Sequence, residues 1–390
     1  MTSRDLLNLS CLAFVFVVAS SCQDQQPDAV NGTYLDLPAV PYEYNNLNEN
    51  NAVTTLGRVL FYDRQLSLNN TTACASCHKQ SAGFADNVKF SRGFEGRLTS
   101  RNSMPVQNLQ ANIFAFDSFR EPGDLMNSGA HLFWDGRESS LDNLILQPVS
   151  NHIEMGIRDL ASLTKKLSEA SYYAPLFSDA YGDQEVTSER ITRAIRAFAL
   201  SINTTNTRFD LYNQTKFTII DPGSGLNLLI RPSNQPAVMN PLELEGMLLF
   251  QSKYDCNSCH QVQSTFGYQM AGTFANVGLD KEYADTGLEK ITGNPADAGK
   301  FKIPSLRNVE FTGPYMHDGR FATLAEVIDH YSEGLNNNPN LDSRLKGENG
   351  TAKSMNISQH EKDALVAFLK TLSDRSVITD PKFSDPFKVK

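Results

Sequence analysis

Apolar residues recur every three or four positions in three stretches of the chain, which is the spacing of one buried helix face. Each stretch opens with a residue or a pair of residues suited to capping the amino end of a helix. The caps are Thr187 or Ser188, Thr323 with Glu326, and Ser358 with Glu361. The inner positions are Ile191, Ala194, Ile195, Phe198 and Ile202, then Leu324, Val327, Ile328 and Tyr331, then Leu365, Phe368, Leu369 and Leu372. Clear strand alternation is scarce, so the pattern predicts a mainly α fold.

The segments between these stretches predict further helix starts, long loops and a linker. Ser140 begins a short helix that is expected to stop at Pro148. The Asn240–Pro241 pair begins another, with a cap and a first-turn proline. Residues 81–126 are rich in Gly, Asn, Ser and Phe without a helical period, which predicts long loops. Residues 216–240 contain PGSG and RPSNQP and predict a linker or insertion.

The amino terminus differs from the rest of the chain. Residues 1–22 contain CLAFVFVVAS, an apolar run that is too short to span a membrane and predicts a secretory signal peptide. Small residues directly before Cys22 resemble a bacterial lipobox, which predicts a lipidated Cys22; an ordinary signal peptide cut nearby is the alternative. Residues 23–45 are polar and are interpreted as a tether. The protein is therefore expected to be exported, either to the bacterial periplasm or to the outer membrane as an anchored lipoprotein.

Composition excludes some classes of function. The chain has 390 residues, of which 40% are hydrophobic and 20% charged, as in an ordinary globular protein. Its net charge is −9 and no run of Lys or Arg stands out, which argues against nucleic acid as a partner. Cys11 and Cys22 lie in the predicted signal and at its end, and the other four of the six cysteines form two C-x-x-C pairs. No cysteine is left for a structural disulfide.

Each C-x-x-C pair is followed directly by a histidine, and C-x-x-C-H is the attachment motif of a c-type haem. The two copies are Cys74, Cys77 and His78, and Cys256, Cys259 and His260. Half of a zinc site is the alternative, but zinc would need two more ligands near each pair, and no other cysteine remains in the mature chain. The sequence predicts two covalently bound haem c groups, with His78 and His260 as proximal iron ligands.

Five segments carry a resemblance to a known family. They are LGRVLFYDRQLS at 56–67, RNSMPVQN at 101–108, FWDGRESSL at 133–141, NHIEMG at 151–156 and FKIPSLRNVEFTGPYMHDGRFATLAEVIDHY at 301–331. In this order, and with two haem motifs, the chain from about Leu56 to about Leu372 resembles the bacterial di-haem cytochrome c peroxidases and, within them, the MauG-like branch.

The resemblance implies two cytochrome c-like haem domains with long loops. A peroxidatic haem domain would occupy residues 46–215, and an electron-transfer haem domain would occupy residues 241–355 after the linker. Residues 356–390 would hold a C-terminal helix that returns to pack on the N-terminal domain. Peroxide chemistry would take place at the N-terminal haem, and electrons would enter at the C-terminal haem.

The same resemblance implies roles for single residues. Trp134 matches a tryptophan between the two haems, Glu154 an acid/base carboxylate in the peroxide pocket, and His317 a histidine close to the second haem. A calcium ion between the domains would be supported by Asn102, Thr312 and Pro314. From the residues alone, the alternatives are a core aromatic for Trp134, a surface carboxylate for Glu154 and a hydrogen bond in a loop for His317.

The peroxidatic haem site departs from that of the better-known peroxidases. In those peroxidases a loop histidine ligates the peroxidatic iron in the resting state. Here the corresponding position is at about Phe94, and no histidine occurs between residues 79 and 130. The His78 haem is therefore expected to be open in the resting state. A glutamine that these peroxidases usually carry is replaced by Leu144, and Gln147 is out of register.

The second haem site also departs. Tyr331 occupies the position of an axial methionine, and a phenolate would be a harder ligand than a thioether. Core packing of Tyr331, or ligation by Met316 instead, are the alternatives. His330 lies one step round the helix and should point elsewhere.

Three functions are compatible with these features. The first is an exported di-haem peroxidase that reduces hydrogen peroxide to water, with electrons from a small external donor such as cytochrome c or a cupredoxin. The second is a MauG-like enzyme that oxidises a partner protein. The third is a non-catalytic electron-transfer cytochrome in which Met104 or His131 closes the first haem. A homodimer is typical of the family.

Overall fold

The computed structural model describes residues 33–44, 49–109, 131–214, 217–220, 227–230, 238–262 and 274–389. The predicted signal peptide with Cys22 and the first part of the tether lie outside the described residues. Within them the fold is mainly helical with little sheet, which confirms the predicted class. In this part of the chain no helix is both long and apolar enough to cross a membrane.

The helices and strands are short and are joined by extended loops. The α-helices are α1 Asn51–Tyr62, α2 Cys74–Cys77, α3 Leu141–Ser150, α4 Leu160–Ser168, α5 Tyr173–Tyr181, α6 Ser188–Ser201, α7 Arg208–Gln214, α8 Pro241–Leu248, α9 Glu289–Thr292, α10 Leu324–Asp329, α11 Gln359–Lys370 and α12 Arg375–Thr379. The strands are β1 Thr33–Leu35, β2 Phe217–Ile220, β3 Asn227–Ile230, β4 Phe274–Ala275, β5 Phe301–Lys302 and β6 Phe387–Val389. They pair antiparallel as β1 with β6, β2 with β3, and β4 with β5. The β2–β3 hairpin lies within the segment predicted as a linker or insertion.

Most predicted helix starts are confirmed by their caps. Thr187 accepts a hydrogen bond from the Arg190 amide and caps α6. Reciprocal capping boxes open α8, α10 and α11, the first of them from Asn240. The predicted stop at Pro148 is wrong, because α3 continues to Ser150, whose hydroxyl donates to the Leu146 carbonyl at 3.1 Å. A proline in the last turn removes only one backbone hydrogen bond, so the helix can close beyond it.

The first hydrophobic core is built on the crossing of α1 and α6. Leu56 and Leu60 of α1 and Phe198 of α6 are fully buried in it, and Cys74 of the first haem motif packs against it. The helices touch at Gly57, where an added Cβ would lie 1.8 Å from the Ala194 carbonyl oxygen. Only glycine permits this approach of two backbones.

The second hydrophobic core repeats this crossing with α8 and α11. Phe250 and Phe368 are buried in it, and Cys256 of the second haem motif packs against it. Gly246 of α8 takes the place of Gly57, because its added Cβ would lie 1.9 Å from the Ala364 carbonyl oxygen. The chain therefore forms two helical cores of the same design, each with one C-x-x-C-H motif at its edge.

Gly57→Ala is expected to destabilise the first core by about 1–3 kcal/mol or more, because backbone as well as side chains must move to admit the methyl group. The measurement is the free energy of unfolding in denaturant. Gly347→Ala is the matched control, since its nearest neighbour is the mobile end of the Asn349 side chain at 3.2 Å. Equal unfolding of the Gly57→Ala variant and the wild type would contradict the close crossing.

The segment after α11, rather than α11 itself, contacts the first core. Helix α11 contributes Leu365 and Phe368 to the second core, so within residues 356–390 it is the part from α12 onward that reaches the first core. The following tail places Val377 and Phe383 in the first core. It is held there by Arg58, whose Nε donates to the Ser384 carbonyl at 2.7 Å, and by the β1–β6 pair. The chain also crosses over earlier than predicted, since Phe209 of α7 already belongs to the second core.

Candidate functional site

The first C-x-x-C-H motif forms the one-turn helix α2 and ends at His78. The His78 amide donates to the Cys74 carbonyl at 2.9 Å, which places the ring directly after the turn. Its Nδ1 lies 3.1 Å from the Phe84 carbonyl oxygen. A carbonyl can only accept, so Nδ1 carries the proton and Nε2 keeps its lone pair for a metal.

The second motif reproduces this arrangement. The His260 amide donates to the Cys256 carbonyl at 2.9 Å, and His260 Nδ1 lies 3.1 Å from the Pro304 carbonyl oxygen. Burial lowers the pKa of His260 to about 4, so the imidazole is neutral and can act as a ligand. Both histidines are thus oriented as a proximal haem ligand requires.

The cysteines of the two motifs are suited to thioether linkage rather than to zinc. Burial raises the pKa of Cys74 to about 12 and that of Cys256 to about 12, so without a bound group both thiols are protonated. In the described part of the chain no group of three or more His, Cys, Asp or Glu side chains could hold a metal ion. The residues present therefore fit two c-type haems better than two zinc ions.

Glu154 lies next to the first motif. It belongs to a turn after α3 and accepts a hydrogen bond from Asn151 Nδ2 at 3.1 Å. Its charge is among the groups that raise the pKa of Cys77, which puts the carboxylate close to the haem-attachment sulfur. Burial raises the pKa of Glu154, and Arg137 partly opposes this shift. The carboxyl can therefore bind and release a proton nearer to neutral pH than an ordinary glutamate does.

Phe94 forms an apolar wall beside Glu154. The Phe94 amide donates to the Glu154 carbonyl at 2.9 Å, and its own carbonyl accepts from Asn69 Nδ2 at 2.7 Å. The ring packs on Gly156, where an added Cβ would lie 2.4 Å from the ring edge. The loop that contains Phe94 is thus fixed on both sides. It carries a phenyl ring where the better-known peroxidases carry an imidazole.

The two other candidates for closing the first haem are Met104 and His131, and their ligation stays untested. The Met104 carbonyl is one of the groups that act on the pKa of His78, so this segment lies near the first motif. His131 packs edge-on against Phe274, with ring centroids 5.1 Å apart. Leu144 packs against the first core, and Gln147 donates to Glu138 at 2.7 Å.

Trp134, Asn102 and His317 meet at the junction of the two cores. Trp134 Nε1 donates to the Asn102 carbonyl at 2.8 Å, and the Asn102 amide donates to the His317 carbonyl at 2.8 Å. The Lys302 amide in turn donates to the Trp134 carbonyl at 2.8 Å. The His317 ring is buried and stacks on Phe301, with centroids 3.6 Å apart. Trp134 therefore links the segments of Asn102 and Lys302, and its place between the two haems stays a prediction.

Arg101 is a functional candidate that the sequence analysis missed. Its guanidinium donates to Asp135 at 2.6 Å and to both oxygens of Asp285 at 2.6 and 2.9 Å. The same group lies 5.6 Å from the centre of the Phe301 ring. Arg101 and Asp135 directly adjoin Asn102 and Trp134 in the sequence, and this adjacency was the available signal. The three charges connect the two halves of the chain beside Trp134.

Tyr331 lies at the second motif. It is not on α10 itself but in the π-helical turn His330–Gly334 that follows, and such turns often occur at functional sites. Burial raises the pKa of its phenol, and Cys259 and Cys256 contribute to that shift, so the two sulfurs are close. His330 points to the Val277 carbonyl, 2.8 Å from Nε2, in agreement with the prediction that it faces elsewhere. Met316 lies in a tight turn in which its carbonyl accepts from Gly319.

The three predicted calcium-supporting residues come from both halves of the chain. Asn102 is buried, and its Nδ2 donates to the Val88 carbonyl at 3.0 Å. The Thr312 methyl group faces Gly83, and Pro314 follows a cis peptide bond. Between the described residues no hydrogen bond joins Asn102 to Thr312 or Pro314, so calcium remains a prediction.

Comparison with known proteins gives a consistent set of relatives. A family model described as di-haem cytochrome c peroxidase matches residues 51–217. Cytochrome c551 peroxidase of Nitrosomonas europaea is 31% identical over 83% of this chain and 81% of its own. The methylamine utilization protein MauG of Methylorubrum extorquens is 29% identical over 84% of this chain and 80% of its own. The crystal structure of a MauG-like protein associated with microbial copper homeostasis covers 90% of this chain and 98% of its own, with 30% identity and a TM-score of 0.68.

Proposed function

The chain belongs to the di-haem cytochrome c peroxidase family, and on that premise we propose that it is an exported peroxidase that reduces hydrogen peroxide to water. The family implies haem c as cofactor, and homologues named as peroxidases support an oxidoreductase of the peroxidase type. The observation that carries the proposal is the half-buried Glu154 with a raised pKa beside Cys77 of the first motif.

The residues around the first motif have complementary tasks in this reaction. A haem held by Cys74, Cys77 and His78 would supply the iron at which peroxide is reduced. Glu154 takes a proton from one oxygen of hydrogen peroxide and returns it to the other, which lets the second oxygen leave as water. Burial of this carboxyl keeps its pKa raised.

Electrons are proposed to enter at the second motif and to pass by Trp134. Cys256, Cys259, His260 and Tyr331 would hold the second haem, and a small donor such as a reduced cytochrome c or cupredoxin would supply the electrons. Trp134 supports this path because its Nε1 and carbonyl are both hydrogen-bonded, at 2.8 Å each, within the junction. A calcium ion at Asn102, Thr312 and Pro314, with His317 nearby, would hold this junction together.

The proposal is tested on the full-length ferric protein by optical and low-temperature EPR spectra before and after stoichiometric hydrogen peroxide. One high-spin and one low-spin haem are expected, with the high-spin signal consumed by peroxide. Peroxide-dependent oxidation of reduced cytochrome c then measures turnover. Two low-spin haems unmoved by peroxide would instead support the electron-transfer cytochrome.

The reaction with peroxide is expected to lose rate on the acid side at a higher pH than an ordinary glutamate would give. Glu154 acts as a base only while ionised, and burial raises its pKa, so its activity is lost as the pH falls through that raised value. Arg137→Gln removes the charge that partly lowers this pKa and is expected to move the acid limb to still higher pH. The measurement is the pH profile of the second-order rate constant with peroxide. Arg92→Gln, at an exposed residue, is the control, and an unmoved limb in Arg137→Gln would contradict the role of Glu154.

Oxidation of a partner protein is the second candidate. Its support is the tyrosine next to the second motif and the identity of 29% to a MauG protein. The MauG-like protein of known structure is described by its association with copper homeostasis, which does not identify a class of partner protein. Brisk peroxidation of a reduced cytochrome would count against this candidate, whereas peroxide consumption without turnover of any small donor would favour it.

A further inference from the structure

A buried carboxylate next to the first core accepts hydrogen bonds from two tyrosines. Asp63 ends α1 and is only 4% exposed. Its Oδ2 accepts from the Tyr173 hydroxyl at 2.6 Å and from the Tyr172 hydroxyl at 2.7 Å. Its Oδ1 accepts from the Gln65 amide at 2.8 Å. The Oδ1 contact alone is enough to cap the following turn, so that cap does not account for the two phenols.

The two phenols lead from the first haem motif towards the surface. Tyr173 is completely buried in the first core, and Cys74 of the first motif packs against the same core. Tyr172 is half-buried, and its ring centroid lies 4.7 Å from that of Tyr173. The far side of Tyr172 meets Phe387 of the C-terminal tail at 5.9 Å. One ring is thus near the motif and the next is near solvent.

The environment of Asp63 favours its taking up a proton. Burial raises the pKa of this carboxyl, although the two tyrosine hydrogen bonds and Lys166 oppose the shift. A phenol that loses an electron becomes a strong acid, and a bare cation is costly in a buried site. Transfer of the phenolic proton to Asp63 replaces a carboxylate and a phenol cation by two neutral groups.

We propose that Tyr172 and Tyr173, with Asp63 as proton acceptor, form a second electron-entry route that lets small one-electron donors at the surface reduce the N-terminal haem site. This inference rests on the proposed peroxidase function, which supplies hydrogen peroxide as the oxidant. It makes the N-terminal domain able to accept electrons without Trp134.

The steps of this route balance. Tyr173 gives one electron to the oxidised site as its O–H bond breaks and the proton passes to Asp63. Tyr172 then gives one electron to the Tyr173 radical. Asp63 returns the proton to Tyr173 and accepts the phenolic proton of Tyr172. A donor gives one electron to Tyr172, and Asp63 returns the last proton. Two electrons delivered in this way, together with two protons from solvent, convert one hydrogen peroxide into two water molecules.

The test is freeze-quench EPR of the full-length holoprotein after stoichiometric hydrogen peroxide and without donor. A tyrosyl radical signal is expected in the wild type and in Tyr181→Phe, a control on the same helix whose hydroxyl donates to the Arg190 carbonyl at 2.9 Å. The signal is expected to be lost in Tyr173→Phe and in Asp63→Asn. Thermal unfolding and haem content establish that these variants are folded. An unchanged radical in Tyr173→Phe, or none in a wild type whose haem spectrum responds to peroxide, overturns the route.

A second measurement separates this inference from the proposed function. If peroxide leaves the haem spectrum unchanged, the peroxidase proposal fails, and photogenerated ruthenium(III) tris-bipyridine is used as the oxidant instead. A tyrosyl radical that disappears in Tyr173→Phe but not in Tyr181→Phe then supports the relay. Equal radical yields in both variants reject it.

Discussion

Replacing Glu154 by glutamine is expected to slow the reaction with hydrogen peroxide by about 100- to 10,000-fold, the usual contribution of a positioned acid/base group. The amide keeps the size of the side chain but cannot accept a proton. Its carbonyl oxygen can still accept the hydrogen bond that Asn151 donates at 3.1 Å, so the turn should persist. The measurement is the stopped-flow rate constant for peroxide at neutral pH, with haem content checked in parallel.

The control for this variant lies in the neighbouring loop. Glu95→Gln changes an exposed carboxylate that pairs only with exposed Arg97, so its rate is expected to remain near that of the wild type. Equal rates for Glu154→Gln and wild type would remove the acid/base role of Glu154. A loss of rate in both variants would point to the loop rather than to the carboxyl.

Replacing Arg101 by leucine is expected to lower the free energy of unfolding by about 3–5 kcal/mol, as when one partner of a buried ion pair is removed. Arg101 and Asp135 are only 13% and 7% exposed, and Asp285 is 24% exposed. Without the guanidinium, Asp135 loses one of its two arginine partners, and Asp285 keeps Lys290 and the Gly287 amide. Denaturant unfolding of the full chain measures the effect, and a second transition would indicate that the two cores have become uncoupled.

The same variant should change the acid sensitivity of the fold. Burial by itself would raise the pKa of Asp285, but hydrogen bonds from Arg101 and Lys290 outweigh it and hold this pKa below the usual range. Such a lowered pKa contributes stability above the unfolded value of about 4, which is lost as the pH falls towards the folded value. Arg101→Leu should remove much of this dependence. Arg375→Leu is the control, because Arg375 is 74% exposed and 3.9 Å from Glu310, and a comparable loss of stability there would contradict the role of the junction.

Features encoded within one helical turn could be predicted from the sequence. The capping boxes at Thr323 and Ser358 and the cap at Thr187 formed as expected, because a cap needs only residues three positions apart. The two C-x-x-C-H motifs are likewise contiguous, and their spacing alone indicated the cofactor. The family could be recognised for the same reason, since its motifs are short and ordered.

Features that depend on distant contacts could not be derived in this way. Nothing local indicates that Asp285 meets Arg101, that Asp63 holds Tyr173, or that the tail after α11 joins the first core. The π-helical turn that carries Tyr331 was also missed, because the apolar spacing of α10 continues into it without a break.

The sequence by itself determined the mainly α class, the helix starts, the two haem motifs and the family. The tertiary structure alone decided which carboxylates lie beside those motifs, how Trp134 is held between the cores, and which segment returns to the first core. Helix caps and covalent attachment sites depend on residues that are neighbours along the chain. Buried charges and aromatic contacts depend instead on how the helices cross, which Gly57 and Gly246 permit. That crossing brings together residues whose separation in the sequence carries no information about their distance in space.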